Sequence, residues 1–142
     1  MKGRQTTIIE GATASDKVGY WLTPPKLMAE LQVEFGFTYD ACPYPRPAGF
    51  DGLKEEWRER TYANPPFKGG LMPWARKAIA EAAKGKLVVL ICPFRMIQWI
   101  TDPLLDAGAE ARLLRRVDWV NPEGKTRKGA PAVLFILRGA PA

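Results

Sequence analysis

The chain has 142 residues, 46% apolar and 25% charged, enough for one compact domain with its own core and too few for a second. It contains no histidine, which excludes Ser-His-Asp and Cys-His nucleophile arrangements, the HExxH site and histidine-based zinc centres. The formal charge is +6, and residues 110–142 carry seven Lys or Arg against three acids, a balance compatible with a polyanion partner without specifying one.

Residues 1–19 are polar and lack periodicity, so they are expected to form a flexible arm ahead of a single domain over 20–142. Thr23 suits a helix N-cap and Pro24 the first helical position. Leu27, Leu31 and Phe35 then recur at four-residue spacing until Gly36 stops the helix. Residues 37–41 alternate aromatic and polar and read as a strand. The proline-rich stretch from Cys42 to Phe50 forbids regular structure. Residues 53–60 have room for two helical turns, and 61–63 form a brief strand running into Asn64-Pro65-Pro66-Phe67.

A helix is expected over 73–84, with an apolar stripe of Trp74, Ala75, Ala78, Ile79 and Ala82 and a stop at Gly85. Residues 87–92 are apolar throughout, the pattern of a strand covered on both faces in a parallel sheet. A helical stretch over 95–107 is interrupted at Pro103. Two final strands, 110–117 and 132–137, flank a basic loop over 121–129. Strands alternate with helices, so the class is α/β, with a mixed sheet of about five strands and helices on both faces.

Cys42 and Cys92 are far apart and form no CxxC pair, so a disulfide framework and a metal site are not expected and a reducing cytoplasmic setting is. No apolar run approaches the roughly 20 residues of a membrane span, and the N-terminus has no signal-peptide core, so no membrane partner is expected.

Asn64-Pro65-Pro66-Phe67 is the most informative stretch. A [DNS]PP[FYW] match arises by chance in about one such chain per hundred on residue frequencies. It follows a strand and precedes a helix, which places it at the carboxyl edge of an α/β sheet, where ligands bind. An exocyclic amine on an aromatic ring is a poor nucleophile because its lone pair is delocalised. It becomes reactive when acceptors hold its hydrogens and favour tetrahedral nitrogen. The Asn64 side-chain oxygen can accept one hydrogen. The Pro65 carbonyl can accept another, because Pro65 and Pro66 stiffen the backbone that aims it. Phe67 offers a face on which a base can stack, worth roughly 1–3 kcal/mol. The same four residues would also serve as a strand-ending turn ahead of a core Phe.

The ordered blocks of this chain resemble the small phage DNA N6-adenine methyltransferases (Dam-type), a branch of the amino-methyltransferases that use S-adenosylmethionine. The resemblance runs from Tyr20-Trp21-Leu22-Thr23-Pro24 through Glu34-Phe35-Gly36-Phe37-Thr38-Tyr39-Asp40-Ala41-Cys42 and Asp51-Gly52-Leu53 with Trp57. It continues through Asn64-Pro65-Pro66-Phe67, Trp74, Lys77-Ala78, Val88-Val89-Leu90 with Pro93, and Trp99. It closes on the Arg116 region and Pro131-Ala132-Val133-Leu134-Phe135.

The resemblance implies a minimal Rossmann-like methyltransferase fold, S-adenosylmethionine as donor, DNA adenine as acceptor and direct in-line transfer, in a phage or prophage protein. Asn64, Pro65, Pro66 and Phe67 would form the catalytic acceptor side. Asp40 would lie near the donor's methionine moiety, Asp51 would help hold its nucleoside, and Trp21 and Thr23 would contact it as well. Thr23 as a helix cap is compatible with that role. Where many methyltransferases have a Gly-x-Gly loop after the first strand, this chain has no glycine until Gly49. Lys125, Arg127 and Lys128 could contact DNA phosphates or simply belong to a solvated hairpin. Acceptors in RNA or on protein glutamine, and a non-catalytic nucleic-acid-binding relative, stand as alternatives. Cysteine-based cytosine methylation does not, since it needs a Cys after a proline and both cysteines here precede one.

Overall fold

The computed structural model describes residues 20–139; the expected N-terminal arm over 1–19 lies outside them. Helix α1 spans Pro25–Phe35, followed by strands β1 (Tyr39–Asp40) and β2 (Arg60–Ala63). Helix α2 (Met72–Ala82) leads to β3 (Leu87–Pro93), a 3-10 turn (Phe94–Met96) and a short α3 (Thr101–Asp106). The long strands β4 (Glu110–Val120) and β5 (Thr126–Leu137) complete the fold. The sheet order is β1-β2-β3-β5-β4. β1, β2 and β3 run parallel, while β5 is antiparallel to both β3 and β4. The protein is therefore α/β with a mixed, open, five-stranded sheet.

β3 is buried at all seven positions, as its unbroken apolar run predicts. Its alternate residues feed two cores. Val89 and Ile91 pack with Leu31 and Phe35 of α1, and with Ile136 and Leu134 of β5. Val88, Leu90 and Cys92 pack on the other face with Trp74, Ala78 and Leu104 of α2 and α3. Helices thus cover both faces, and the period-2 alternation of a strand accounts for the division.

Several boundaries differ from the sequence reading for identifiable reasons. Thr23 is not the N-cap of α1: Pro24 is, with ψ 142, and no side chain caps the helix. Pro25 drives the residue before it out of the helical region, so the helix starts one residue later. Gly36 ends it as expected, in the left-handed conformation at φ 62. The first strand pairs over only two residues, although the Thr38 and Ala41 amides still donate to Arg60 and Tyr62 carbonyls at 2.8 and 2.9 Å.

Residues 53–59 form a turn followed by irregular chain, not two helical turns, and Arg60 already belongs to β2. Trp57 is pulled into the core, where its indole donates to the Gly52 carbonyl at 2.7 Å. The break in residues 95–107 falls before α3 and not at Pro103. Pro103 sits in the first turn of α3, where its missing amide has no partner to lose. β4 and β5 extend beyond the expected ends, so Arg127 and Lys128 lie on β5 and the connecting loop shrinks to a turn at 121–125. Asn121 builds that turn: its Oδ1 accepts from the Glu123 and Lys125 amides at 3.0 and 2.8 Å.

Candidate active site

Asn64 is the first residue past β2, at the carboxyl edge of the parallel strands. Its side chain is nearly closed off, with 9% exposed. Nδ2 donates to the Trp21 carbonyl at 2.8 Å and to Thr23 Oγ1 at 3.3 Å. A backbone carbonyl can only accept, so the nitrogen must face Trp21 and the amide cannot be turned over. Oδ1 is left buried with no hydrogen-bond partner among the described residues. Leaving such an acceptor unmade costs about 1–3 kcal/mol. A buried acceptor in that state calls for a donor, which an ordered water or a ligand can supply.

Behind Asn64, the Thr23 hydroxyl shares a 2.6 Å hydrogen bond with the Tyr62 hydroxyl. Burial pushes the Tyr62 phenol's pKa up, so it stays neutral. The Thr23 hydroxyl therefore links the Tyr62 hydroxyl to Asn64 Nδ2.

A reciprocal pair of hydrogen bonds between Leu22 and Val120 pins the segment before α1 onto the end of β4, at 2.6 and 3.3 Å. This brings Trp21 over the β4–β5 hairpin, where the Arg127 guanidinium lies 5.0 Å from the centre of its ring. Trp119, paired across the hairpin with Arg127, meets Phe67 edge-on at 6.0 Å and 84°. Together with Phe94 and Arg95 these four side chains bound a cavity of about 100 Å³. It is an aromatic box with two cations in its wall.

A second cleft lies on the other side of Pro66. Tyr20, Cys42, Arg46, Phe50 and Asp51 line it, and its volume is about 60 Å³. Gly52 closes its floor so tightly that a Cβ there would come within 2.0 Å of the Ala41 carbonyl oxygen. Asp51 Oδ1 accepts from the Leu53 amide at 2.9 Å. Asp40 Oδ1 accepts from the Cys42 amide at 2.9 Å. The Asp40 carboxylate is exposed but recessed among protein atoms, and desolvation raises its pKa more than the Cys42 amide lowers it. Burial pushes both cysteine thiols up, so neither is a ready nucleophile.

The residues expected to contact a donor therefore separate into two pairs. Asp51 lines the smaller cleft, whereas Asp40 lies outside its lining and is tied to it only through the Cys42 amide. Trp21 and Thr23 belong to Asn64: the first gives its ring to the aromatic cavity, the second its hydroxyl to the network behind the amide. Of the three basic residues only Arg127 reaches the cavity; Lys125 sits in the hairpin turn and Lys128 is exposed on β5.

Sequence reasoning missed Tyr62, Phe94, Arg95 and Trp119. Phe94 and Arg95 directly follow the buried strand β3, so the carboxyl-edge rule points to them. Trp119 has no local signal, because only the hairpin register sets it against Phe67.

Among the described residues no helix is long and apolar enough to cross a membrane, and no group of three or more His, Cys, Asp or Glu is placed to hold a metal ion. No family model, curated protein or solved structure matches the chain.

Proposed function

We propose that the chain is an amino-methyltransferase that methylates adenine N6 in DNA, with S-adenosylmethionine as donor. The observation that carries this reading is the buried, unpartnered Oδ1 of an Asn64 whose amide is held by the Trp21 carbonyl, while Trp21 and Phe67, though not Asn64 itself, line an aromatic cavity. On this reading Oδ1 accepts one hydrogen of the N6 amine and the Pro65 carbonyl accepts the other. The nitrogen lone pair is thereby released from the ring and can attack. Phe67 stacks on the base, and Trp119 holds Phe67 edge-on. Once nitrogen has gained a methyl group, the surplus proton passes to water, since neither an amide nor a carbonyl can keep it. No imidazole is involved, in keeping with a chain that has none.

The donor supplies an electrophilic methyl group on a sulfonium. As nitrogen takes the methyl group the S–CH3 bond breaks and the donor leaves as a neutral thioether. The smaller cleft suits parts of the donor: Tyr20 and Phe50 offer aromatic surface and Asp51 an acceptor for ribose hydroxyls, while Asp40, outside the cleft's lining, would offer a carboxylate for its ammonium. Ligand pockets typically run to several hundred Å³. At about 60 Å³ the cleft is smaller than that, so on this reading most of the donor lies outside it. Three parallel strands followed by an antiparallel pair support reading the sheet as a pruned Rossmann-like methyltransferase core, and the reading carries with it a phage or prophage protein acting in a bacterial cytoplasm.

Asn64→Ala tests the assignment. Transfer of labelled methyl to DNA falls by at least about a hundredfold, the scale on which a lost charge-stabilising contact acts; retained transfer overturns the role. The small cleft also favours a second reading, a relative that binds nucleic acid and takes no donor. Calorimetry with S-adenosylmethionine separates the two, and absence of binding at millimolar donor decides for the second.

A further inference from the structure

Phe94 and Trp99 are 50% and 74% exposed, and are the only aromatic side chains among the large apolar groups that the described residues leave so open to solvent. Both lie in the segment that follows β3, five residues apart in sequence, so their Cα atoms are at most roughly 17 Å apart. Phe94 also forms part of the wall of the aromatic cavity. Arg95 shares that wall, and its side chain makes no ion pair or hydrogen bond among the described residues. Arg127 stands in the same wall, held against the Trp21 ring.

We propose that Phe94, Arg95 and Trp99, with Arg127, form a docking surface for an unpaired DNA strand. Phe94 and Trp99 stack bases that neighbour the one placed on Phe67, while Arg95 and Arg127 meet the phosphates between them. The argument rests on which part of a base each structure offers. A duplex stacks its base faces on one another and shows only edges in its grooves, so exposed aromatic faces have nothing to meet there. An unpaired strand presents those faces, and aromatic platforms interleaved with cations are how proteins hold it. A base already out of the stack also enters the cavity without the few kcal/mol needed to extract it from a duplex. The inference extends the proposed function, because it takes the Phe67 cavity as the seat of the target base.

The test is fluorescence anisotropy of the full chain with three fluorescein-labelled probes of one sequence. They are an oligodeoxynucleotide of about 12 residues, a site of ordinary size for such proteins, the same sequence as RNA, and a hairpin duplex containing it. Binding of the DNA single strand at least about tenfold tighter than the duplex is expected, and tighter binding of the RNA than of the DNA strand overturns the choice of DNA. Trp99→Ala, a change at an open position that leaves the fold intact, weakens single-strand binding by about tenfold, the lower part of the range for losing one base stack. It leaves duplex binding unchanged. Arg95→Ala lowers the slope of log affinity against log salt by about 0.7, as for one lost phosphate contact on a single strand. Equal or tighter duplex binding, or a Trp99→Ala variant that binds single strands like the parent, overturns the proposal. Failure of the methyltransferase reading shows differently: methyl transfer is then absent while the single-strand preference and its loss in Trp99→Ala persist.

Discussion

Glu81 offers the sharpest test of the packing that supports the site. It lies on α2 with only 1% of its side chain exposed. Three lysines surround it, with Lys86, Lys77 and Lys84 at 2.6, 2.9 and 3.5 Å. Lys86 in turn donates to Glu56 and to the Trp57 carbonyl, tying the loop after Gly52 to the start of β3. Burial alone would raise the Glu81 pKa, but the hydrogen bonds from Lys86 and Lys77 outweigh it and bring the group down from 4.5 to about 2. A carboxylate whose pKa is lower in the folded than in the unfolded state stabilises the fold above its ordinary pKa. That stabilisation fades as pH falls from about 5 to about 2. At 1.36 kcal/mol per pH unit it amounts to about 3 kcal/mol at neutral pH.

Glu81→Gln keeps the shape and removes the charge, leaving three lysines facing a neutral amide. For a chain of this length a loss of about 3 kcal/mol lowers the melting temperature by about 6–12 °C. Thermal unfolding followed by circular dichroism at pH 7, 5, 3 and 2 measures it. The variant should melt lower than the parent at pH 7 and 5, and the two curves should converge toward pH 2. Equal melting temperatures at pH 7, or a gap unchanged at pH 2, would refute the assignment of this stability to the Glu81 charge.

Gly52→Ala puts a Cβ 2.0 Å from the Ala41 carbonyl oxygen and 3.0 Å from the Trp74 ring, so the chain at the smaller cleft must shift; chemical denaturation should register a loss of about 1–3 kcal/mol, together with weaker donor binding by calorimetry. Thr23→Val strips the partner from the buried Tyr62 hydroxyl and should destabilise by about 1–3 kcal/mol, with Thr23→Ser restoring most of it; equal stability of the Val and Ser variants would sink the role given to the hydroxyl. Trp119→Ala empties a buried site against Phe67 and should lose about 3–5 kcal/mol in urea unfolding. Asp40→Asn removes a carboxylate whose pKa the fold raises from 3.8, so it should stabilise the protein at pH 7 and lose that advantage below about pH 3; no gain at pH 7 would mean that the recess does not disfavour the charge.

The sequence by itself determined the class and the anchor points. An unbroken apolar run at 87–92 can only be satisfied between two layers, and β3 is buried throughout. Gly36 and Gly85 end helical segments with positive φ, which glycine adopts without strain. Asn64-Pro65-Pro66-Phe67 stands out from its residue types and from its place after a strand. Those are local properties, governed by period, turn chemistry and composition.

What the tertiary structure decided is how distant segments meet. The Thr23 hydroxyl braces that of Tyr62, 39 positions away, a contact that no local pattern announces. The Asn64 amide is oriented by the carbonyl of Trp21, 43 positions before it, and only that contact reveals Oδ1 as the unmade acceptor. Trp119 reaches Phe67 because hairpin register and the Leu22–Val120 pairing carry it there. Glu81 reads on the helix as one more surface acid, and it is buried because Lys86, beyond the turn, folds back over it. Periodicity reports which face of an element is apolar, but it carries no information on which partner that face meets. The pairing of side chains across elements is therefore where sequence reasoning stopped, and where the candidate site took its form.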